Sequence, residues 1–235
     1  LFVTAGVPEY ESIICNKNYG CGKSITKLTG FPRHDYLNNT AQKIIIINPT
    51  WRLNLWKLSV NEFKKSSYFT SWNNLLKDKK INYLLKKQGY KIIFILHNNM
   101  EKFANCFYKN ENIIIPSEKN YSEIFSIGSL FITDYSSNAF EFAYLRKPII
   151  YFQFDKSTFF ADHSYNKGYF DYEDNGFGEV CYDNQIISKT ISYYLQNNCD
   201  LKDLYKARIN KFFAFNDKNN CERVYNEIMK LENRK

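Results

Sequence analysis

The chain has 235 residues, 44% hydrophobic and 18% aromatic, with a formal net charge of +8 at pH 7. That apolar content supports a buried core and excludes disordered, collagenous and low-complexity chains. No apolar run approaches the roughly 20 residues of a membrane-spanning helix, and the sequence opens without the basic-then-apolar pattern of a signal peptide.

Leu1–Thr4 reads as a strand and Glu9–Asn16 as a helix introduced by Pro8. Because residue 1 is Leu and already strand-like, the chain is expected to be a piece of a longer protein. Ile25–Leu28 reads as a second strand, and the polar Asn38–Gln42 as a linker. Lys43–Asn48 is a continuous β-branched run, the mark of a strand buried on both faces. Leu53–Ser71 is mixed and irregular, whereas Trp72–Gln88 has helical spacing and ends at Gly89. Strands follow at Tyr90–His97, Asn112–Ile115, Leu130–Asp134 and Pro148–Phe154, with helices at Tyr121–Ile127 and Asn138–Leu145 between them. The segment from Gln185 to Leu231 reads as mostly helical. Apolar strands alternating with helices predict an α/β fold built on a Rossmann-like parallel sheet.

The basic balance suits nucleic acid, anionic headgroups or a phosphate-bearing substrate. The lysines are dispersed, however, and the clusters Lys77, Lys79, Lys80 and Lys86, Lys87 read as solvated helix faces. Six cysteines without a C-x-x-C, in a chain with no secretory signal, predict reduced thiols in a cytoplasmic protein and no zinc site. Gly22-Lys23-Ser24 imitates the end of a phosphate-binding loop, but the position that must be Gly is Lys17. No G-x-S-x-G hydrolase motif occurs.

In an open parallel sheet, ligands bind beyond the carboxyl ends of the strands. Three polar groups fall there: Pro49-Thr50-Trp51-Arg52, His97-Asn98 and Thr133-Asp134-Tyr135-Ser136-Ser137. The last runs from a strand into a helix and offers hydroxyls and unpaired N–H groups, either as a phosphate site or as a helix cap without ligand. Glu141 lies one turn further on the same side. His97 is either functional or a hydrogen-bonded strand end. His34, in a turn, and His163, in a polar loop, are weaker candidates.

The stretch Leu130–Pro148, with Thr133-Asp134-Tyr135-Ser136-Ser137 at its centre, resembles the signature of the CDP-glycerol glycerophosphotransferases, the teichoic-acid polymerase family. Thr29-Gly30-Phe31-Pro32-Arg33-His34-Asp35, Ile46–Arg52, Phe94–His97 and the aromatic block from Gly168 to Glu173 resemble its other motifs, in the family's order. Glu141 stands where the family usually has Asp, and Asn98 where Pro is frequent. The resemblance implies one half of a GT-B-type architecture of two Rossmann-like domains. Residues 1–37 would be a remnant of the amino-terminal, acceptor-side domain and 38–43 a linker. Residues 44–235 would form the donor-binding domain with closing helices.

It also implies transfer of glycerol phosphate from CDP-glycerol to an acceptor hydroxyl, releasing CMP, in teichoic-acid or capsule-type polymer synthesis. His97 would be catalytic. Arg52, Thr133, Ser136, Ser137 and Glu141 would bind the donor, and Gly30, Arg33 and Asp134 would line the cleft. No metal or cofactor is expected beyond CDP-glycerol as donor substrate. The expected partners are a lipid-linked glycerol-phosphate or polysaccharide acceptor and an anionic membrane surface, at the inner face of a bacterial membrane, with no nucleic acid. A transferase using CDP-ribitol or a UDP-sugar, or a domain that only binds nucleotide, is the alternative.

Overall fold

The computed structural model describes residues 1–118, 120–162 and 168–232; His163 lies outside them. The chain opens with β1 (Phe2–Thr4), α1 (Val7–Cys15) and β2 (Thr26–Leu28), and β1 and β2 form a separate parallel pair. A 3-10 turn, Pro32–Tyr36, leads to β3 (Ile44–Ile47), followed by α2 (Val60–Phe63), α3 (Ser67–Lys77), α4 (Lys79–Gln88) and β4 (Lys91–Phe94). Then come a 3-10 segment, Asn98–Cys106, β5 (Ile113–Ile114), α5 (Tyr121–Ile127), β6 (Leu130–Thr133), α6 (Asn138–Tyr144) and β7 (Ile149–Phe152). The remainder is α7 (Lys156–Asp162), β8 (Gly178–Cys181), α8 (Asn184–Gln196), α9 (Asp203–Phe212) and α10 (Asn220–Glu232).

Strands β3 to β8 make one sheet in the order β5-β4-β3-β6-β7-β8, every pair parallel. The order runs outward from β3 in one direction and from β6 in the other, which is the doubly wound arrangement. The reason is legible in β3: Ile45, Ile46 and Ile47 are all fully buried. Ile45 and Ile47 face the layer containing Trp72, Leu85 and Ile191, while Ile46 faces the layer containing Phe131, Phe142 and Ile209. A strand covered on both faces needs apolar residues at every position rather than at alternate ones.

Three expectations change. The span Trp72–Gln88 is two helices rather than one, because the backbone turns at Asp78. Its carboxylate accepts the N–H groups of Lys80 and Ile81 and so starts a new helix. The irregular span Leu53–Ser71 contains α2 and the start of α3. Ser59 and Glu62 cap α2 reciprocally, and the Ser66 hydroxyl accepts from Phe69 at the head of α3. Strand β8 was not foreseen; Gly178 and Glu179 weaken its apolar signature. Gly178 is needed there, since a Cβ would lie 1.8 Å from the Ile149 carbonyl oxygen of β7.

The last helix does not stay with the large sheet. Asn220 and the Cys221 N–H donate to Asp35, and Arg223 donates to the Thr29 carbonyl, so α10 packs on the 3-10 turn near the amino terminus.

Replacing Asp78 by Ala removes the acceptor that separates α3 from α4. Urea denaturation should show a loss of about 1 kcal/mol, the usual cost of an N-cap, with the helical circular dichroism of the native state unchanged.

Candidate functional site

The sheet order reverses between β3 and β6, and a cavity of about 560 Å³ lies at that place, beyond their carboxyl ends. The loop after β3 supplies Asn48 and Trp51, the loop after β4 supplies His97, and the turn into α6 supplies Tyr135, Ser136 and Ser137. Three predicted residues, His97, Ser136 and Ser137, therefore share one cavity. Sequence reasoning passed over Asn48, Tyr121 and Asn138, which also line it. It grouped Trp51 with Arg52 without giving Trp51 a role. Trp51 stacks on the His97 imidazole, with centroids 5.7 Å apart and planes 22° from parallel.

His97 lies three residues beyond β4, at the cap position of the 3-10 segment, and its Nδ1 accepts the Asn99 N–H at 3.2 Å. An imidazole accepting at Nδ1 carries its proton on Nε2. Ser136 Oγ accepts the Asn138 N–H, whereas Ser137, at the cap position of α6, makes no capping hydrogen bond. The Asn138 side chain donates to Asn48 Oδ1, locking the β3 and β6 loops together across the cavity floor.

The other predicted residues lie elsewhere. Arg52, expected to meet a phosphate, is 5% exposed and turned into the protein. Its Nη2 donates to Asp134 at 2.7 Å, its Nε to Asp155 at 2.8 Å and its Nη1 to the Thr50 carbonyl at 2.7 Å. The rings of Tyr68, Tyr135 and Phe159 surround the guanidinium. Asp134, expected to line the cleft, is fully buried behind it, and its other oxygen accepts the N–H groups of Thr50 and Tyr135. Thr133 is fully buried and donates to the Asn48 carbonyl. Burial raises the Asp155 carboxyl above the ordinary range, even with Arg52 pulling the other way.

Glu141 and Arg33 meet outside this cavity. Arg33 Nε donates to Glu141 Oε1 at 2.6 Å, and His34 Nε2 lies 2.9 Å from Oε2. Burial pushes the Glu141 carboxyl up, but hydrogen bonds and charge from His34 and Arg33 outweigh it and hold the group below its ordinary value. Gly30, at φ +77°, contacts α10 instead of a cavity; a Cβ there would sit 1.8 Å from Asn220 Oδ1. Among the described residues, no cluster of three His, Cys, Asp or Glu is placed to hold a metal ion.

The sheet order and the cavity at its reversal define a doubly wound, Rossmann-like domain whose candidate ligand site is ringed by imidazole, indole and hydroxyl groups. Residues 2–230 match the family described as CDP-Glycerol:Poly(glycerophosphate) glycerophosphotransferase, and the chain belongs to that family. It is 36% identical over 246 residues to the minor teichoic acid biosynthesis protein GgaB of Bacillus subtilis (strain 168), covering 100% of this chain and 27% of that protein. It is 24% identical over 243 residues to a teichoic acid poly(glycerol phosphate) polymerase of the same strain, covering 95% of this chain and 31% of the polymerase. The chain thus spans about a third or less of these relatives. Among solved structures, a histidine-to-alanine variant of the wall teichoic acid polymerase TagF superposes with a TM-score of 0.68 at 19% identity, over 97% of this chain and 57% of that one. That likeness shows the fold.

Two outcomes test this electrostatic account. Arg52→Leu leaves two buried carboxyl groups without their cation and should cost about 3–5 kcal/mol in chemical denaturation. Glu141 has a depressed folded pKa, so its contribution is present above the unfolded value near 4.5 and lost as pH falls through the folded value. The melting temperature of Glu141→Gln should therefore lie below that of the unaltered protein at pH 7, with the gap closing under acid conditions.

Proposed function

We propose that the cavity at the sheet reversal binds CDP-glycerol and that the protein carrying this chain transfers glycerol phosphate to an acceptor hydroxyl, releasing CMP, in teichoic-acid or capsule-type polymer synthesis. The observation that carries the reading is the meeting of His97, Ser136 and Ser137 at the sheet reversal, in a chain whose residues 2–230 match this family. A TagF structure soaked with CDPG supports the choice of donor.

In this reading the acceptor oxygen forms a bond to the β-phosphorus as the bond to the CMP oxygen breaks. CMP leaves with the electron pair. The hydroxyl proton passes to a general base, which the resemblance assigns to the amino-terminal domain of the family's proteins. Phosphoryl transfer asks the protein mainly for alignment and charge stabilisation. Ser136, Ser137 and the N–H groups entering α6 would hold the pyrophosphate. His97, carrying its proton on Nε2, would donate to the leaving phosphate, and Trp51 fixes the plane of that ring. Arg52 would act indirectly, by fixing the loops that form the walls.

The same reading divides the chain at 38–43, with residues 1–37 on the acceptor side of a GT-B-type cleft and 44–235 on the donor side. It calls for no cofactor. The acceptor would be lipid-linked, and the basic surface would rest on anionic headgroups at the inner face of the membrane. No helix among the described residues is long and apolar enough to cross one.

Calorimetry of this chain with CDP-glycerol, CDP-ribitol and UDP-sugars side by side tests the donor. CDP-glycerol should bind with the highest affinity. A hydrogen bond to a charged group is worth about 1.5–3 kcal/mol, so Ser136→Ala and His97→Ala should each weaken binding roughly tenfold or more at unchanged melting temperature. Preference for another nucleotide would replace the donor, and unchanged affinity in both variants would remove these residues from the site.

A further inference from the structure

A second cavity, of about 260 Å³, lies on the other side of Ser137, which lines both. Its walls come from the amino-terminal segment (Glu9, Phe31, Arg33, His34) and from Phe140 of α6, with Tyr169, Phe212 and Phe213 closing it. Five aromatic rings in so small a space make it largely apolar, with a few polar groups converging, the usual make-up of a small-molecule site.

One of those groups is unexplained by the fold. His34 is 1% exposed, and its ring is held edge-on by Phe31 and Phe213 and against Tyr144. Nε2 meets Glu141, but Nδ1 has no hydrogen-bond partner among the described residues. A buried polar atom left unpaired is destabilising, and that cost is offset when a ligand supplies the missing partner. The same cavity is lined by Arg33, which bonds Glu141 through Nε, and by Ser137, whose hydroxyl makes no hydrogen bond among the described residues.

The charges identify the kind of ligand. Arg33 is neutralised by Glu141, and Glu9 is occupied by the Ala5 and Gly6 N–H groups at the head of α1. The cavity has no surplus cation for a phosphate. It offers ring faces for carbon-bound hydrogens and separate polar atoms for hydroxyls. We propose that this cavity binds the uncharged, hydroxyl-bearing end unit of the acceptor, a polyol or a glycosyl residue, with His34 as its buried hydrogen-bond partner. The inference rests on the phosphotransfer reading only for the word acceptor: a donor held at Ser136 and Ser137 would present its phosphorus beside this opening.

The chain contains three histidines, His34, His97 and His163, so imidazole nitrogen spectra of the ¹⁵N-histidine-labelled protein report on the two cavities separately. His34→Gln and His97→Gln assign the signals. Glycerol, ribitol, glucose and N-acetylglucosamine are titrated individually, with inorganic phosphate as a further arm, and CDP-glycerol is titrated separately. A saturable shift of the His34 signal with a polyol or a sugar, leaving His97 unmoved, is expected, and the stronger of the two names the source. Arg33→Gln, at a mostly exposed side chain, should raise the half-saturation concentration about tenfold, the loss of one hydrogen bond from a charged donor. A His34 signal that only phosphate moves, or that nothing moves, overturns the proposal. Failure of CDP-glycerol to move His97 would instead count against the donor reading and leave this result standing.

Discussion

One buried guanidinium decides where everything at the open end of the sheet sits. Arg52 comes from the loop after β3, Asp134 from the end of β6 and Asp155 from the loop after β7, and the three charges meet largely shielded from water. Removing such charges from water costs several kcal/mol per ion, so the cluster persists only because each charge has a partner and good geometry. The raised Asp155 carboxyl records that cost. In exchange the cluster admits one arrangement of three loops. Asp134 grips the backbone N–H of both Thr50 and Tyr135. The positions of Trp51 and Ser136, each one residue further on, follow from that grip.

This cluster also shows what could be read in the sequence and what could not. The parallel sheet was legible because burial on both faces demands continuous apolar runs, and Ile44–Ile47 and Leu130–Thr133 satisfy that demand locally. That ligand-facing residues gather at strand ends followed from topology. The aim of each side chain did not, because it depends on partners far away in sequence. Arg52 turns inward for a carboxylate 82 residues on, and Glu141 turns away from the larger cavity for Arg33, 108 residues back. An arginine in P-T-W-R reads as a free cation until its counter-ions are located. Conversely, His34 follows Arg33 in a turn and carried only a weak local signal. Its interest comes from Glu141 on one nitrogen and a cavity beside the ring.

The block Thr29–Asp35 serves two purposes through different atoms. Asp35 takes three N–H donors from the start of α10, and Gly30 leaves space for Asn220 by adopting a backbone conformation that side chains disfavour. These contacts clamp the last helix against the first segment. Arg33 and His34, between Gly30 and Asp35, point the other way, towards α6. The clamp therefore holds the smaller cavity's wall in place, and a change at Gly30 or Asp35 would be felt there without touching any ligand.

Helix α6 is the member common to both cavities. Ser137 at its head lines the two of them, and Glu141, four residues on, is one turn along the same face and holds Arg33 and His34. Displacing the helix by an ångström would therefore shift both groups together. A transfer between a group bound in one cavity and a group bound in the other requires their reacting atoms to meet within van der Waals range, and small misplacements in such reactions are costly. Hanging both walls on one short, buried helix ties that separation to the packing of Phe142 and Ala143 against the sheet rather than to the motion of two independent loops. The division of charge fits the same scheme. Donors to phosphate would gather on one side of Ser137, while Glu141 cancels the cation on the other, so that a neutral hydroxyl group and a phosphate-bearing group would each find only its own side favourable.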